Sequence, residues 1–507
     1  MILLIIALLF ILTIIAVIFI FTKNYMETKE NQQTSHHGVP LSGEKKNFFE
    51  RYFSTFKVVV IGILTLLLLI PLSMIESLIR ERQNSKQAAV TDITSKWGAE
   101  QTITGPCLVI PYTETVVEDK KLMQVERNLL ILPETLDVKA NTSVEKRKRG
   151  IYDASVYTAD MTLTGSFGMR ALKNFNVPYA QIQWNKVQVI MGLSDLKGIK
   201  EKVTLVISGQ KIDFESGLPV DNLASGSGSS TVVNPDKPPM LYDYDGYSSY
   251  ELFTIGLNAK LDSTSAANLM TNTLPFSISL KMNGSQGLYI VPIGKTTTAS
   301  VSSNWATPSF DGNFLPETRE ISSNGFTSGW KALDLNRSYG QVVRADNQNA
   351  LNQMASSRFG VRFIQAVDQY QQNMRSVKYA ILIILLTFVV LFFIELIKKK
   401  SVNPMQYLLV GLALAIFYTL LLSMSEVWGF NAAYFVAATM TAGLITLHMS
   451  NVLKNKKEGI LIGSLLVFLY LFIFILIQME SYALLVGSLG LFAILGVIMY
   501  VSKRIKM

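Results

Sequence analysis

The chain has one cysteine and three histidines among 507 residues, so two common sources of cross-linking and of catalysis are scarce. With Cys107 alone, no disulfide can form within the chain, and any folded domain must be held by its own hydrophobic core. His36, His37 and His448 are too few and too scattered to predict a metal site or a proton relay. We therefore expect no metal and no cofactor, and we interpret Cys107 as a small core residue.

Charged residues are also scarce, at 16% of the chain against 49% hydrophobic residues. The net charge is nevertheless +9, and many of the basic residues stand at the ends of apolar segments. Such placement is typical of loops that fix membrane topology and contact anionic lipid. The basic run Lys146–Arg149 lies elsewhere, and we interpret it as a solvated turn. The composition therefore predicts contacts with membrane lipids and none with nucleic acid.

A third absence is positional, because no segment between Glu76 and Ser376 is apolar for long enough to cross a bilayer. A bilayer core of about 30 Å requires roughly 20 apolar residues per helix, since lipid cannot satisfy exposed backbone N–H and C=O groups. Suitable segments flank this middle block on both sides. They predict membrane spans at 2–22, 57–76, 378–397, 404–424, 430–449, 459–478 and 482–501.

The predicted fold class is an integral membrane α-helical bundle of about seven spans with a large inserted, mainly antiparallel β extracytoplasmic domain. The predicted domains are an N-terminal transmembrane helix (1–22), a cytoplasmic loop with an interfacial helix (23–56), a transmembrane helix (57–76), a periplasmic β-rich domain (77–376) and a C-terminal five-helix transmembrane domain (377–507). For the first segment a signal peptide is the alternative, but it lacks a basic start and a clear cleavage site. For the aromatic segment Lys45–Phe56, a plain aromatic belt before the next span is an equal alternative.

The loops differ sharply in charge, and this difference predicts the orientation. Lysine is frequent in the loops at 23–57, 398–400 and 452–457, whereas the turns at 423–431 and 478–482 contain no lysine or arginine. The positive-inside rule places the lysine-rich loops in the cytoplasm. The large middle domain then faces outward.

The middle block begins with a helix that continues through Trp97 and then turns to short β-favouring runs. Alternation of apolar and polar residues is clearest at Phe276–Met282. The predicted strands are Cys107–Tyr112, Asn128–Leu132, Asp160–Phe167, Val187–Met191, Val203–Ser208, Phe276–Met282 and Gly287–Val291. They predict a sandwich or a multi-sheet domain, with the Ser/Gly-rich stretch Asn222–Pro239 as a flexible loop.

Short motifs recur in a fixed order along the chain. They include Ile79–Gln83, Trp97-Gly98, Gly105-Pro106 with Ile110-Pro111-Tyr112, Gly312–Pro316, Leu335–Ser338, and Asn403-Pro404 with Gln406-Tyr407. In this order over residues 57–500 they resemble the CreD family of bacterial inner-membrane proteins. The resemblance implies a cell-envelope protein linked to envelope integrity and stress responses. It brings no catalytic residues with it.

One motif points to chemistry, because Ser194-Asp195-Leu196-Lys197 matches the S-x-x-K pattern of serine acyl-enzymes. That chemistry also needs S-D-N and K-T-G elements, and Lys295-Thr296-Thr297 only approximates the latter. We therefore favour a capped helical turn that begins at Ser194, where the serine accepts from free N–H groups.

Ionisable residues gather where the predicted spans reach the outer face. They are Glu76, Arg80, Arg82, Arg375, Lys378, Glu426 and Glu480. Charges near lipid are costly unless they are paired, so we expect ion pairs that fasten the exported domain to the bundle. A proton site or a lipid-headgroup site is the alternative. Glu395 stands beside three lysines at the inner end of its span, and we expect it to extend towards the interface with them.

The sequence thus predicts a non-enzymatic inner-membrane protein whose periplasmic β-domain binds or senses an envelope component. The expected partners are membrane lipids and either another envelope protein or a glycan. Two alternatives stay open. A lipid or glycan transporter would use the helical bundle, and an envelope hydrolase would need a catalytic cluster in the β-domain.

Overall fold

The computed structural model describes residues 48–504 apart from 119–120, 169–171, 173–174, 176, 219–251, 254, 263–265, 267–268, 270–271, 364–368, 399–401 and 480–482. The predictions for the first span, for the loop up to residue 47 and for the Ser/Gly-rich loop therefore lie outside the described residues. The chain divides into two compact units. The helical unit comprises Met1–Ser85 and Val367–Met507, and the β-unit comprises Lys86–Ala366.

The helices are α1 (Phe48–Leu67), α2 (Leu69–Trp97), α3 (Gln348–Ser356), α4 (Gln369–Lys378), α5 (Ala380–Lys398), α6 (Pro404–Trp428), α7 (Phe430–Val452), α8 (Lys456–Gln478) and α9 (Ala483–Arg504). Pro71 lacks the N–H that would continue the α1 ladder, and it is tolerated in the first turn of α2. Asn403 starts α6 by accepting a hydrogen bond from the N–H of Met405 at 3.0 Å. Asn455 caps α8 in the same way.

Among the described residues, five helical segments are long and apolar enough to cross a membrane. They are Lys57–Trp97, Gln369–Leu396, Pro404–Trp428, Phe430–Val452 and Lys456–Gln478. Each coincides with a predicted span, and α9 occupies the position of the last one. The chain is therefore a multi-pass membrane protein with a large β-unit between its spans. The total of seven spans stays a prediction, because the first lies outside the described residues.

The strands of the β-unit fall into two sheets. Their bounds are β1 (Gln101–Glu118), β2 (Lys121–Ile131), β3 (Thr135–Arg149), β4 (Tyr152–Phe167), β5 (Gln188–Leu193), β6 (Thr204–Ile207), β7 (Gln210–Asp213), β8 (Glu215–Ser216), β9 (Gly256–Lys260), β10 (Leu274–Ser285), β11 (Gly287–Ile290), β12 (Thr296–Ser303), β13 (Ser309–Gly312), β14 (Thr318–Ser322), β15 (Gly325–Leu333), β16 (Val342–Arg344) and β17 (Phe359–Arg362). The eight-stranded sheet has the order β14-β15-β12-β3-β4-β10-β6-β7. The nine-stranded sheet has the order β13-β17-β11-β1-β5-β9-β8, with β2 paired to β1 and β16.

Most strand pairs are antiparallel, as the sequence predicts, and the described exceptions are β1 with β11 and β3 with β12. Along β3 and β12, buried and solvent-facing residues alternate. This period of two places one face of each strand on the core and the other face in solvent. The two sheets share a core that includes Leu163 and Val301 from the eight-stranded sheet and Val109 and Ile190 from the nine-stranded sheet. Cys107 is fully buried in this core, as predicted.

The interpretation of Lys146–Arg149 as a turn is wrong, because these residues form the last part of β3. They pair with β4 up to Arg149 opposite Tyr152, and the turn itself lies at Gly150 and Ile151. Two of its basic side chains contact α2. Arg149 forms an ion pair with Asp92 of α2, and the guanidinium of Arg147 lies 4.1 Å from the ring centre of Trp97.

Candidate functional site

The predicted interface residues are described except for Glu480, which lies outside the described residues. Arg80 donates from Nη2 to Oε1 of Glu76 at 2.8 Å, one turn apart on α2, and both side chains are exposed. Such a pair contributes only about 0.3–0.5 kcal/mol. Of the remaining members, Arg82 is exposed on α2, Arg375 is half-buried on α4, and Lys378 is exposed at the end of α4.

Glu426, the acidic member at the end of α6, accepts a hydrogen bond from the hydroxyl of Tyr370 at 3.0 Å. One turn away, Nδ2 of Asn373 donates to Oγ of Ser425 at 2.8 Å, and both residues are buried. These contacts join α4 to α6 within the helical unit. The predicted role of the cluster in fastening the β-unit stays a prediction.

A buried charged site that the sequence analysis missed lies in the helical unit. Lys57 of α1 forms an ion pair with Glu395 of α5, and the residues are only 4% and 7% exposed. Lys57 also donates to the carbonyl of Val402. The carboxylate of Glu395 accepts from the hydroxyl of Tyr407 at 3.0 Å and from the N–H of Val402 at 3.2 Å. We call these four residues the Lys57–Glu395 site.

The expectation that Glu395 extends to the interface beside neighbouring lysines is therefore wrong. Its carboxylate turns inward because a lysine, a phenol and a backbone N–H all satisfy it there. Each polar group of the site has a partner, which is the condition under which a buried ion pair is tolerated. The site ties α1, α5 and the start of α6 together. The sequence did contain one signal for this site. Glu395 is an acidic residue in the otherwise apolar helix α5, and such a residue usually has a specific partner.

The space between α6, α7 and α8 is filled by aromatic rings. The ring centre of Phe417 lies 4.5 Å from that of Tyr470 and 5.5 Å from that of Tyr434. The hydroxyl of Tyr434 donates to the carbonyl of Tyr470 at 2.8 Å. All three residues are at most 2% exposed. The three helices therefore pack tightly against one another around these rings.

A second polar cluster lies in the β-unit around Tyr289 of β11. Its hydroxyl donates to Asp311 at 3.3 Å and accepts from Nε of Arg362 at 3.3 Å, while Arg362 and Asp311 form an ion pair at 3.2 Å. The guanidinium of Arg358 lies 4.2 Å from the ring centre. Burial, together with the nearby Glu100 carboxylate, raises the pKa of Tyr289, so its phenol stays protonated at neutral pH. The cluster joins β11, β13 and β17.

The serine of the S-x-x-K match is engaged with the backbone of the sheet. Oγ of Ser194 accepts a hydrogen bond from the N–H of Thr102 at 2.8 Å. The predicted cap at Ser194 is wrong, because the capping residue is Asp195, whose carboxylate accepts from the N–H of Lys197 at 2.9 Å. Asp195 also accepts from the N–H of Ala99 at 3.0 Å. These contacts give the motif a structural role.

A shallow polar cleft lies on the eight-stranded sheet near the turn between β14 and β15, where these strands continue into β12 and the middle of β3, and we call it the hairpin cleft. Its volume is about 360 Å³. Its lining residues are Asn141, Ser302, Ser303, Glu320, Ile321, Ser322, Asn324, Gly325, Phe326 and Thr327. The sequence analysis did not identify it, because its residues come from separate stretches of the chain. Within the described ranges, no group of three or more His, Cys, Asp and Glu side chains is placed to hold a metal ion.

The sequence is similar to one family of known membrane proteins. The family model described as inner membrane protein CreD matches residues 54–507. The inner membrane protein CreD of Escherichia coli (strain K12) is 31% identical over 444 residues, which cover 87% of this chain and 90% of the relative.

Proposed function

Since the chain belongs to the CreD family of inner membrane proteins, we propose that it presents its β-unit on the periplasmic face and there binds or senses a component of the cell envelope. The helical unit acts as the anchor, and the protein supports envelope integrity without catalysing a reaction. The observation that carries the proposal is the β-unit itself. It is a two-sheet domain with its own core, inserted between apolar helices that are long enough to cross the membrane.

The charges near the helix ends support the periplasmic orientation. Lys454 lies between α7 and α8, and Lys456 and Lys457 are the first residues of α8. The other end of the α6–α7 pair carries Glu426, in the last turn of α6, and no basic residue. Lysine-rich loops stay in the cytoplasm. The turn between α6 and α7 is then on the periplasmic side of the membrane. The same rule supports a cytoplasmic start for α1, because Arg51 and Lys57 precede the apolar part of that helix.

The packing of the helical unit supports an anchor better than a transporter. The rings of Phe417, Tyr434 and Tyr470 fill the space between three helices, and the charges of Lys57 and Glu395 satisfy each other. Ionisable groups that serve transport face a water-filled pathway or a substrate. The hydrolase alternative also receives little support, because Ser194 is bonded to a neighbouring strand.

For the interface residues we propose a structural role. Both carboxylates have partners within the helical unit. Glu426 accepts a hydrogen bond from the hydroxyl of Tyr370, and Glu76 forms an ion pair with Arg80 on the same helix. The matched variants Glu426→Gln and Tyr370→Phe test this role. A structural role predicts that both lower thermal stability and leave the envelope phenotype intact at permissive temperature. Loss of the phenotype in stable, normally inserted Glu426→Gln protein would favour a proton or lipid-headgroup site.

Photo-crosslinking in living cells tests the proposed function. A photoreactive residue is placed at Lys211 on β7, at Thr327 on β15, and, as a control, at Lys456 at the start of α8, all of which are exposed. We expect reproducible adducts with an envelope component from at least one β-unit position and a different pattern from Lys456. Mass spectrometry then separates protein adducts from glycan adducts. The absence of adducts across a scan of exposed β-unit positions would contradict the proposal.

A further inference from the structure

Three tyrosines of the helical unit are buried at the place where α6, α7 and α8 meet. Tyr418 belongs to α6, Tyr434 to α7 and Tyr470 to α8, and they are 2%, 1% and 2% exposed. The ring of Phe417 lies among them, with ring-centre distances of 4.8 Å, 5.5 Å and 4.5 Å to the three in that order. We call the three tyrosines the tyrosine site.

Two of the three hydroxyl groups have a hydrogen to donate and no protein acceptor for it. The hydroxyl of Tyr434 donates to the carbonyl of Tyr470 at 2.8 Å. The hydroxyl oxygens of Tyr418 and Tyr470 are buried and have no hydrogen-bond partner among the residues that the structure describes. A phenol can also accept hydrogen bonds, so the oxygen of Tyr434 keeps its capacity as an acceptor.

The hydroxyl groups of the tyrosine site are near one another without being bonded to one another. The ring centres of Tyr434 and Tyr470 are 6.3 Å apart. The hydroxyl of Tyr418 interacts electrostatically with those of both other tyrosines. Within the described part of the chain, however, no hydrogen bond joins any two of the three hydroxyls. Groups that are close but not bonded can be joined by a small molecule between them.

The location of the site makes two unused donors costly. Each of the helices α6, α7 and α8 is long and apolar enough to cross a membrane. Hydrocarbon offers a hydroxyl no hydrogen-bond partner, and a buried hydroxyl without one lowers the folding equilibrium constant roughly 5-fold or more. Buried polar groups in folded proteins are therefore almost always bonded, either to protein atoms or to ordered water.

Ring packing alone does not account for the hydroxyl groups. Phe417 fills the centre of the cluster without a hydroxyl, and the ring of Phe474 lies 5.2 Å from that of Tyr434. Phenylalanine would fill the space of Tyr418 and Tyr470 equally well and would bury no polar atom. The two hydroxyls therefore call for a partner that the rings do not provide.

From this arrangement we propose that the tyrosine site binds an internal water molecule that joins α6, α7 and α8. The water accepts hydrogen bonds from the hydroxyls of Tyr418 and Tyr470 and donates one to the oxygen of Tyr434. A buried water makes about three hydrogen bonds, which is the number that these groups supply. A larger ligand does not fit, because the rings fill the space between the helices. The inference goes beyond the proposed function, since it concerns the anchor and not the β-unit.

Reversible unfolding of the full-length protein in mixed micelles titrated with SDS tests the bridge. Tyr418→Phe and Tyr470→Phe each remove one hydroxyl and keep the ring. With a bridging water, each substitution removes a satisfied hydrogen bond, and we expect the unfolding equilibrium constant to rise about 5-fold. The double variant should show a rise clearly smaller than the product of the two single effects, because both substitutions break the same bridge.

Tyr407 provides the matched control on α6. It is fully buried, and its hydroxyl already donates to the carboxylate of Glu395 at 3.0 Å. Tyr407→Phe should also raise the unfolding equilibrium constant. Its effect should multiply with that of Tyr470→Phe, since no bridge connects the two positions.

X-ray footprinting of the wild-type protein in nanodiscs detects the water without any substitution. X-ray pulses convert a bound water into hydroxyl radicals, which oxidise the side chains beside it. We expect oxidation of Tyr418 and Tyr470 to be several-fold faster than that of Tyr407, although all three are buried. If a variant fails to insert into the membrane, this measurement decides the question by itself.

Three results would overturn the inference. The first is an unfolding equilibrium constant that both single substitutions leave unchanged or lower, because removing an unsatisfied hydroxyl stabilises the fold. The second is a double variant whose effect equals the product of the single effects. The third is oxidation of Tyr418 and Tyr470 that is no faster than oxidation of Tyr407.

Discussion

The Lys57–Glu395 site allows a quantitative test of how the helical unit is held together. Lys57→Met leaves a buried carboxylate with two hydrogen-bond donors and no cation. Removing one partner of a buried ion pair costs about 3–5 kcal/mol. Glu395→Gln is milder, because its amide oxygen can still accept from Tyr407 and its amide N–H can donate to the nearby carbonyl of Val402, and we expect a cost of about 2–3 kcal/mol.

The double variant Lys57→Met/Glu395→Gln removes both charges. Its amide N–H can donate to the carbonyl of Val402, which the lysine has vacated. We expect the double variant to lose only about 1 kcal/mol relative to the wild type, because replacing a buried pair by neutral groups is close to neutral. The coupling energy between the two positions is then about 4 kcal/mol or more.

Reversible unfolding in mixed micelles titrated with SDS measures all four proteins. The exposed pair of Glu76 and Arg80 provides the control, and the cycle of Glu76→Gln with Arg80→Met should give a coupling below about 1 kcal/mol. If the effects of the two substitutions at the buried site simply add, then the ion pair does not tie α1 to α5 and the description of the site is wrong.

Three further predictions concern single residues. Burial raises the pKa of the Cys107 thiol, so the thiol form is stabilised in the folded state and stability is lost as pH rises above the ordinary thiol pKa; Cys107→Ala should flatten the fall in melting temperature between pH 8 and pH 10.5. Tyr289→Phe removes the hydrogen bonds with Asp311 and Arg362 and should lower the free energy of unfolding by about 1–2 kcal/mol at pH 7. Because the pKa of Tyr289 is raised in the folded state, the wild type should lose stability as pH rises above 10, and the variant should lose less over the same range. An unchanged alkaline profile would refute the assigned role. Asn373→Leu leaves the hydroxyl of Ser425 with one partner fewer, and SDS unfolding should show a loss of about 1–2 kcal/mol.

The sequence was sufficient to predict the elements whose residues carry a strong local period. Phe276–Met282 alternates strictly, and β10 contains that segment with Ile278 and Leu280 fully or almost fully buried. The apolar spans were equally clear, because length and hydropathy alone determine whether a helix can cross a membrane. Local composition was misleading at Lys146–Arg149, where cross-strand pairing with β4 outweighs the charge of the run.

The sites depended on contacts that local patterns do not encode. Lys57 and Glu395 are 338 residues apart in the chain, and nothing near either residue indicates its partner. The hairpin cleft combines Asn141 of β3 with Ser302 of β12, which are brought together by a parallel strand pair, and with Glu320 of β14. Such pairings follow from the topology of the sheet, and a topology of this size is not predictable from one sequence.

The orientation of the β-unit is the claim on which the proposed function depends, and cysteine labelling measures it directly. Cys107 is fully buried and its thiol pKa is raised, so the wild-type protein should not react with a maleimide. A membrane-impermeant maleimide applied to intact spheroplasts should label Lys211→Cys in the β-unit and should label Lys456→Cys only after the membrane is permeabilised. Labelling of Lys456→Cys in intact spheroplasts, with Lys211→Cys protected until permeabilisation, would place the β-unit in the cytoplasm and contradict the account.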